Sequence, residues 1–409
     1  MKSDDIALVR EVLRTAAAPT AGDLEPPGDA TRIDQVPASV VAHGRTLLRA
    51  GKVAALMVAG GQSTRWHGAG LRGDCPIGPV SSRSLFRISG EKLVAVRQRR
   101  APDLLWLVMT SAAVHEAVVD SFRRESFFGF PRDDVVFFPQ RSLPVLDGRL
   151  EPVVRGGAVL QSPTGHGGLL RALVDADLWE RLERRGVEHL FQFQYPNVLE
   201  QVCDPRMLGF HDKSRTEVTC KGFEAPDLTE AVGRFARIAG KLRVVEYHQA
   251  RGRGEPWWPH APANQNTFVW SLAFLRRAAA EGELPFHGVP HAAPGLDGLR
   301  KVEQFVFDLL QRTTRVGLLV GSRAAEYAAV KRLEGSDSVD SARNALRHLY
   351  RSWLDGAGAV AAAANANANV EISASFALDR GEVAGRVAPG FRYHDGLVLN
   401  PGAPHAPTD

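Results

Sequence analysis

Cysteine is scarce in this chain of 409 residues: only Cys75, Cys203 and Cys220 occur, and no two have the close spacing of a metal site. Three scattered thiols cannot make a disulfide framework, so reduced cysteines are expected. No run of about 18 apolar residues occurs, which argues against a membrane-spanning helix, and no basic-plus-apolar leader opens the sequence. The expected location is the cytoplasm. An excess of one charge is also lacking, because 50 Lys and Arg stand against 46 Asp and Glu, a formal net charge of +4. That balance argues against a nucleic-acid binder, and clusters such as Arg97, Arg99 and Arg100 read as a solvated helix face. What remains is ordinary, with 44% hydrophobic and 23% charged residues in a chain long enough for a large core. The excess of Arg over Lys, with many Ala, Gly and Pro, is compatible with a GC-rich bacterial genome.

The organising stretch is residues 53–65. Seven apolar residues, Val53 to Ala59, run into Gly60 and Gly61, a pattern that predicts a buried parallel strand entering a tight loop. Adjacent glycines permit positive φ and close backbone approach to a ligand, although a plain strand-to-helix turn has the same look. Gln62, Ser63 and Thr64 add neutral hydrogen-bonding groups and Arg65 a forked cation, a set that suits a nucleotide. Residues 67–84, rich in glycine, form a connector long enough to suggest a binding loop.

Further strands are expected at residues 104–109 and 135–138, with a helix through residues 115–122 between them. Strand, helix and strand in that order argue a doubly wound parallel sheet whose ligands lie at the carboxyl ends of its strands. Before residue 50 the pattern is helical around a linker rich in Pro, Gly and Asp. After residue 335 a helix is expected over 336–354, a low-complexity linker over 361–369, short strands at 370–373 and within 376–387, and a frayed tail beyond 401.

The glycine loop, Val58-Ala59-Gly60-Gly61-Gln62-Ser63-Thr64-Arg65-Trp66, closely resembles the signature of the UDP-sugar pyrophosphorylases, L-A-G-G-x-G/S-T-R-L/M-G. Further motifs recur in order from about residue 51 to 355, and the branch most resembled is the eukaryotic-type UDP-N-acetylhexosamine pyrophosphorylases. Met109-Thr110-Ser111, the segment before Gln140, and Ser162-Pro163-Thr164-Gly165-His166-Gly167-Gly168 have counterparts there. So do Val232-Gly233, Val244-Val245-Glu246-Tyr247, Asn264-Gln265-Asn266, the run from Lys301 to Asp308, and Lys331.

This resemblance implies an α/β fold, a Rossmann-like nucleotidyltransferase (GT-A-like) mixed sheet flanked by helices. Residues 1–50 would form a helical lead-in, 51–335 the nucleotidyltransferase-like domain, and 336–409 a small C-terminal α+β region. It implies a UTP:sugar-1-phosphate uridylyltransferase, with a nucleotide or nucleotide sugar and a small-molecule phosphate as partners, and neither nucleic acid nor membrane. Carried onto matching positions, Arg65 and Lys331 would serve catalysis. Gly60, Gly61, Gln62, Ser63, Thr64, Gln140, Pro163, Gly165, His166 and Gly167 would hold the nucleotide. Asn197, Gly233, Glu246, Asn264 and Lys301 would meet the rest of the substrate.

Two positions depart from the pattern. Pro76-Ile77-Gly78 stands where the family has Pro-Lys-Gly, so a cation near the triphosphate is missing unless Arg65, Arg72 or Arg83 replaces it. Pro196-Asn197 stands where the family has Asp-Asn, whose aspartate holds Mg²⁺; proline has no side-chain ligand, which sets this chain against the metal the resemblance implies. A repurposed enzyme acting on another activated or phosphorylated small molecule, or a catalytically silent nucleotide-sugar-binding homologue, therefore stays open beside the orthodox activity.

Overall fold

The computed structural model describes residues 3–15, 24–61, 70–225, 227, 230–246, 258–291, 293, 295–362 and 368–402. Gln62, Ser63, Thr64, Arg65 and Tyr247 lie outside the described residues.

A mixed central sheet carries the molecule. Its long path comprises β1 (Thr31–Arg32), β2 (Val53–Val58), β3 (Leu105–Ser111), β4 (Val135–Gln140), β5 (His189–Gln194), β6 (Val218–Phe223), β7 (Ala263–Ser271) and β8 (Val316–Gly321), in the spatial order β1-β8-β6-β7-β5-β2-β3-β4. The apolar run at β2 follows from burial on both faces. Val53, Ala55 and Met57 pack with Trp106, Phe191 and Phe193, while Ala54 and Leu56 pack with Leu107, Leu190 and Phe268 on the opposite side.

Strands β5, β2, β3 and β4 are parallel, as the strand-helix-strand order predicts. The sheet as a whole is mixed, as the family resemblance implies, because β7 lies antiparallel to both β5 and β6. Among the described residues between β6 and β7 there is a hairpin, Arg234–Ile238 with Lys241–Val245, and no helical crossover that would return the chain in the parallel sense.

Helices cover the sheet: α1 (Ser3–Thr15), α2 (Ala38–Arg49), α3 (Leu85–Arg99), α4 (Pro205–Lys213) and α5 (Val339–Gly356) among them. Asp204 caps α4 by accepting from the Arg206 amide at 2.9 Å, and Pro205 opens the first turn, where its missing N–H costs nothing. Helices α2 and α4 meet backbone to backbone. A Cβ on Gly44 would lie 2.0 Å from the Pro205 carbonyl oxygen, and one on Gly209 would lie 1.9 Å from that of Val40. Gly209→Ala therefore has to push the two helices apart, and it is expected to cost about 3 kcal/mol in denaturant unfolding. An unchanged midpoint would show that this crossing is loose.

The C-terminal region is tied to the sheet by the same core, which runs continuously from Ile33 through Phe191 and Leu346 to Leu399. Val370–Ile372 pairs in parallel with Leu397–Leu399. Strand is not what residues 376–387 form: Asp379 accepts from the Glu382 amide at 2.9 Å and caps a short helix, Arg380–Ala384. Among the described residues no helix is long and apolar enough to cross a membrane.

Candidate active site

A cavity of about 290 Å³ opens where β2, β4 and β5 end, the carboxyl edge predicted for a ligand. Gly60, Gly61, Gln140, Pro163, Gly165, His166, Lys301 and Lys331 all line it. Eight of the residues assigned from sequence thus share one cavity.

Gly60 is needed for packing and not for φ. Neither Gly60 nor Gly61 has a positive φ, so the left-handed turn expected of adjacent glycines does not form here. The Ala59 amide bonds the Met109 carbonyl at 2.8 Å and prolongs the sheet, so Gly60 passes directly over its neighbours. A Cβ there would lie 2.3 Å from Gln140 Nε2 and 2.7 Å from the Thr110 carbonyl oxygen. Gly61 faces open space, with Arg72 Nη2 at 4.0 Å from its Cβ position. Gln140 is buried in the cavity wall, and its Oε1 has no partner among the described residues.

In the second glycine loop only Gly165 takes a positive φ, +81°. Gly167 is pressed against protein rather than open to ligand, since its Cβ would lie 2.4 Å from the Gln304 carbonyl carbon. It lines a separate surface depression. The Gln304 amide donates to the Thr164 carbonyl at 2.7 Å, which seats the strand Arg300–Gln304 on this loop. His166 Nδ1 accepts from the Val306 amide at 3.0 Å, so the neutral ring carries its proton on Nε2 as a donor. Burial pushes its pKa down to about 4, against the smaller opposing pull of Glu303 and Asp308. At neutral pH His166 is an uncharged hydrogen-bonding group.

Lys331 is placed by a chain of contacts that begins at Asn197. The Asn197 amide nitrogen donates to the Glu326 carbonyl at 2.8 Å, and its Oδ1 accepts from the Ala328 amide at 2.9 Å. The Val330 amide then donates to the Pro196 carbonyl at 3.0 Å. Asn197 is therefore a buried staple between two segments, and it does not line the cavity as a substrate-binding residue would. Lys331 Nζ lies 2.8 Å from Asp337 Oδ2 and 5.5 Å above the Tyr327 ring. Burial works against its charge, but Tyr327 and Asp337 more than offset that and raise its pKa.

Lys301 pairs with Glu303 at 2.6 Å on the cavity rim. Gly233 and Glu246, which flank the hairpin strands, are brought together with Asn264 of β7 but do not line this cavity. A Cβ on Gly233 would lie 3.0 Å from Glu246 Oε1, and the Asn264 amide donates to the Gly233 carbonyl at 2.8 Å.

Several cavity residues went unassigned from sequence: Gln194, Tyr195, Glu303 and Phe305. The first two are the polar and aromatic end of β5, a position that points them at the ligand edge. Of the possible stand-ins for the missing lysine, Arg72 reaches the cavity. Arg83 does not, being held by Glu91 at 3.1 Å and by Glu371 at 2.5 Å. Ile77 is fully buried in the core, so a lysine placed there would have to leave that core to reach a phosphate.

The same residues were tested as a cradle for Mg²⁺. Pro196 lines the cavity without offering an oxygen from its side chain, and Glu303, the one lining carboxylate among the described residues, is already paired. Among the described residues no group of three or more His, Cys, Asp or Glu is placed to hold a metal. The donor set does not fit the ion.

Residues 25–284 match the family described as UTP--glucose-1-phosphate uridylyltransferase. The chain belongs to this family, the UDP-sugar pyrophosphorylases. The UDP-N-acetylglucosamine pyrophosphorylase of Saccharomyces cerevisiae is 30% identical over 339 residues, covering 76% of this chain and 71% of its own length. UDP-N-acetylglucosamine diphosphorylase 2 of Arabidopsis thaliana is 30% identical over 341 residues, covering 75% and 67%. The crystal structure of the Trypanosoma brucei uridine diphosphate N-acetylglucosamine pyrophosphorylase, in complex with inhibitor, superposes with a TM-score of 0.77 at 23% identity. That match covers 93% of this chain and 85% of the other, and establishes the nucleotidyltransferase fold of this family member.

Proposed function

We propose that this protein is a UTP:sugar-1-phosphate uridylyltransferase of the UDP-N-acetylhexosamine pyrophosphorylase type. The supporting observation is the cavity at the carboxyl edge of β2, β4 and β5, which gathers both glycine loops and two lysines in a member of that family. In the reaction, a phosphate oxygen of the sugar 1-phosphate attacks the α-phosphorus of UTP in line. The bond from that phosphorus to the bridging oxygen breaks, and pyrophosphate leaves with the bond's electrons. The protein supplies position and charge, not a covalent intermediate.

Gly60 and Gly61 admit the nucleotide to the backbone, with Arg65 and its neighbours Gln62, Ser63 and Thr64 assigned to the phosphates. The Nε2–H of His166 suits an acceptor on a base, and Gln140, Pro163 and Gly165 are assigned to the nucleotide beside it. Lys331, fixed by Asp337, is assigned to phosphate, and Lys301 to the sugar-phosphate side. Gly233, Glu246 and Asn264 are assigned to the sugar. Three buried, unpaired cysteines suit a cytoplasmic enzyme.

The test is direct. Incubation with UTP, an N-acetylhexosamine 1-phosphate and Mg²⁺ is expected to release pyrophosphate in proportion to the UDP-sugar formed. A rise in melting temperature with UDP-sugar but no turnover would overturn the catalytic assignment and leave a binding protein.

A further inference from the structure

The cations of the cavity are not equivalent. Lys301 is neutralised by Glu303 at 2.6 Å and Lys331 by Asp337 at 2.8 Å. Arg72 is different: among the described residues it meets no carboxylate. Its Nε points to the Tyr195 hydroxyl at 3.5 Å, and its guanidinium lies 5.7 Å from the centre of the same ring. Tyr195 is in turn fixed by Phe86, whose ring centre is 4.7 Å away. The guanidinium therefore has an aromatic backing, lies beside Gly61, and among the described residues keeps most of its five donors for something else.

We propose that Arg72 binds the diphosphate of the nucleotide directly, neutralising it without a metal ion held by the protein. This rests on the reading of the cavity as a nucleotide site and names the group that compensates its charge. Three observations point the same way. Arg72 is the cavity cation without an acidic partner among the described residues, and a planar fork of donors suits two phosphate oxygens at once. Lys331 lines the same cavity, so an anion bound there meets a second cation. The lining carboxylate Glu303 is committed to Lys301, which leaves the guanidinium, not an acid-bound cation, to face the phosphates.

The experiment is calorimetric titration of wild type, Arg72→Gln and Arg72→Lys with UDP and with uridine, in EDTA and again in Mg²⁺. Wild type is expected to bind UDP equally, within about twofold, in both buffers, because no protein metal site takes part. Arg72→Gln is expected to weaken UDP about 10- to 100-fold while uridine changes less than about twofold, and Arg72→Lys should recover part of the loss. Thermal unfolding of the free variants checks that Tyr195 stays packed. Equal UDP affinity in wild type and Arg72→Gln would overturn the assignment while leaving the nucleotide site intact. So would UDP binding that requires Mg²⁺, or equal losses for UDP and uridine. Failure of wild type to bind either ligand would remove the nucleotide reading itself, and the role of Arg72 with it.

Discussion

Lys221→Met is expected to lower stability by about 3–5 kcal/mol, the cost of leaving buried acids without their counter-ion. Lys221 sits fully buried on β6, between Glu200 at 3.2 Å and Glu326 at 2.7 Å. Burial opposes its charge, yet Glu200 and Glu326 outweigh that and raise its pKa. Each acid is further engaged. Glu200 accepts from Gln265 at 2.8 Å and from Thr267 at 2.5 Å, and Arg206 reaches Glu326 at 3.4 Å while gripping Asp204. Methionine fills the volume but returns no charge. Denaturant unfolding should show the loss, and Glu200→Gln with Glu326→Gln in the Lys221→Met background should regain a large part of it. Should the single variant melt like wild type, the network contributes nothing to the folded state.

Gly60→Ala is expected to lower kcat/KM for UDP-sugar formation about 100-fold, because displacement of a substrate loop by about an ångström is enough to misalign the reacting groups. The added methyl meets the Thr110 backbone at 2.7 Å, which cannot move without distorting β3, and the amide of Gln140 at 2.3 Å, which can swing only by giving up its place in the cavity wall. Gly61→Ala is the control. Its Cβ finds nothing nearer than 4.0 Å, so the free protein should melt as before, and any loss should appear only with ligand bound. Equal kcat/KM for Gly60→Ala and wild type would mean the loop tolerates the shift, and the packing argument would fall.

Much of the scaffold was legible because periodicity and turn chemistry act locally. The runs at β2, β3 and β4 and the glycine loops all carry their signals within a few residues. The antiparallel β7 was not legible, since strand direction depends on what joins it to β6 rather than on its own residues. Asn197 misled for a related reason: beside Pro196 it looks like a ligand contact, but its amide is consumed by backbone more than 100 residues away in sequence, at Glu326 and Ala328.

By itself the sequence determined the succession of strands and glycine loops, the family, and the removal of a lysine and an aspartate from their customary places. All of these are properties of residue order. Only the tertiary structure decided that Gly60 is required by Gln140, that Ile77 belongs to the core, and that Arg72 stands beside Tyr195 in the cavity with no acid among the described residues to neutralise it. Which cations are already neutralised depends on distances between segments far apart in the chain, and those distances exist only once the two cores have closed around the sheet.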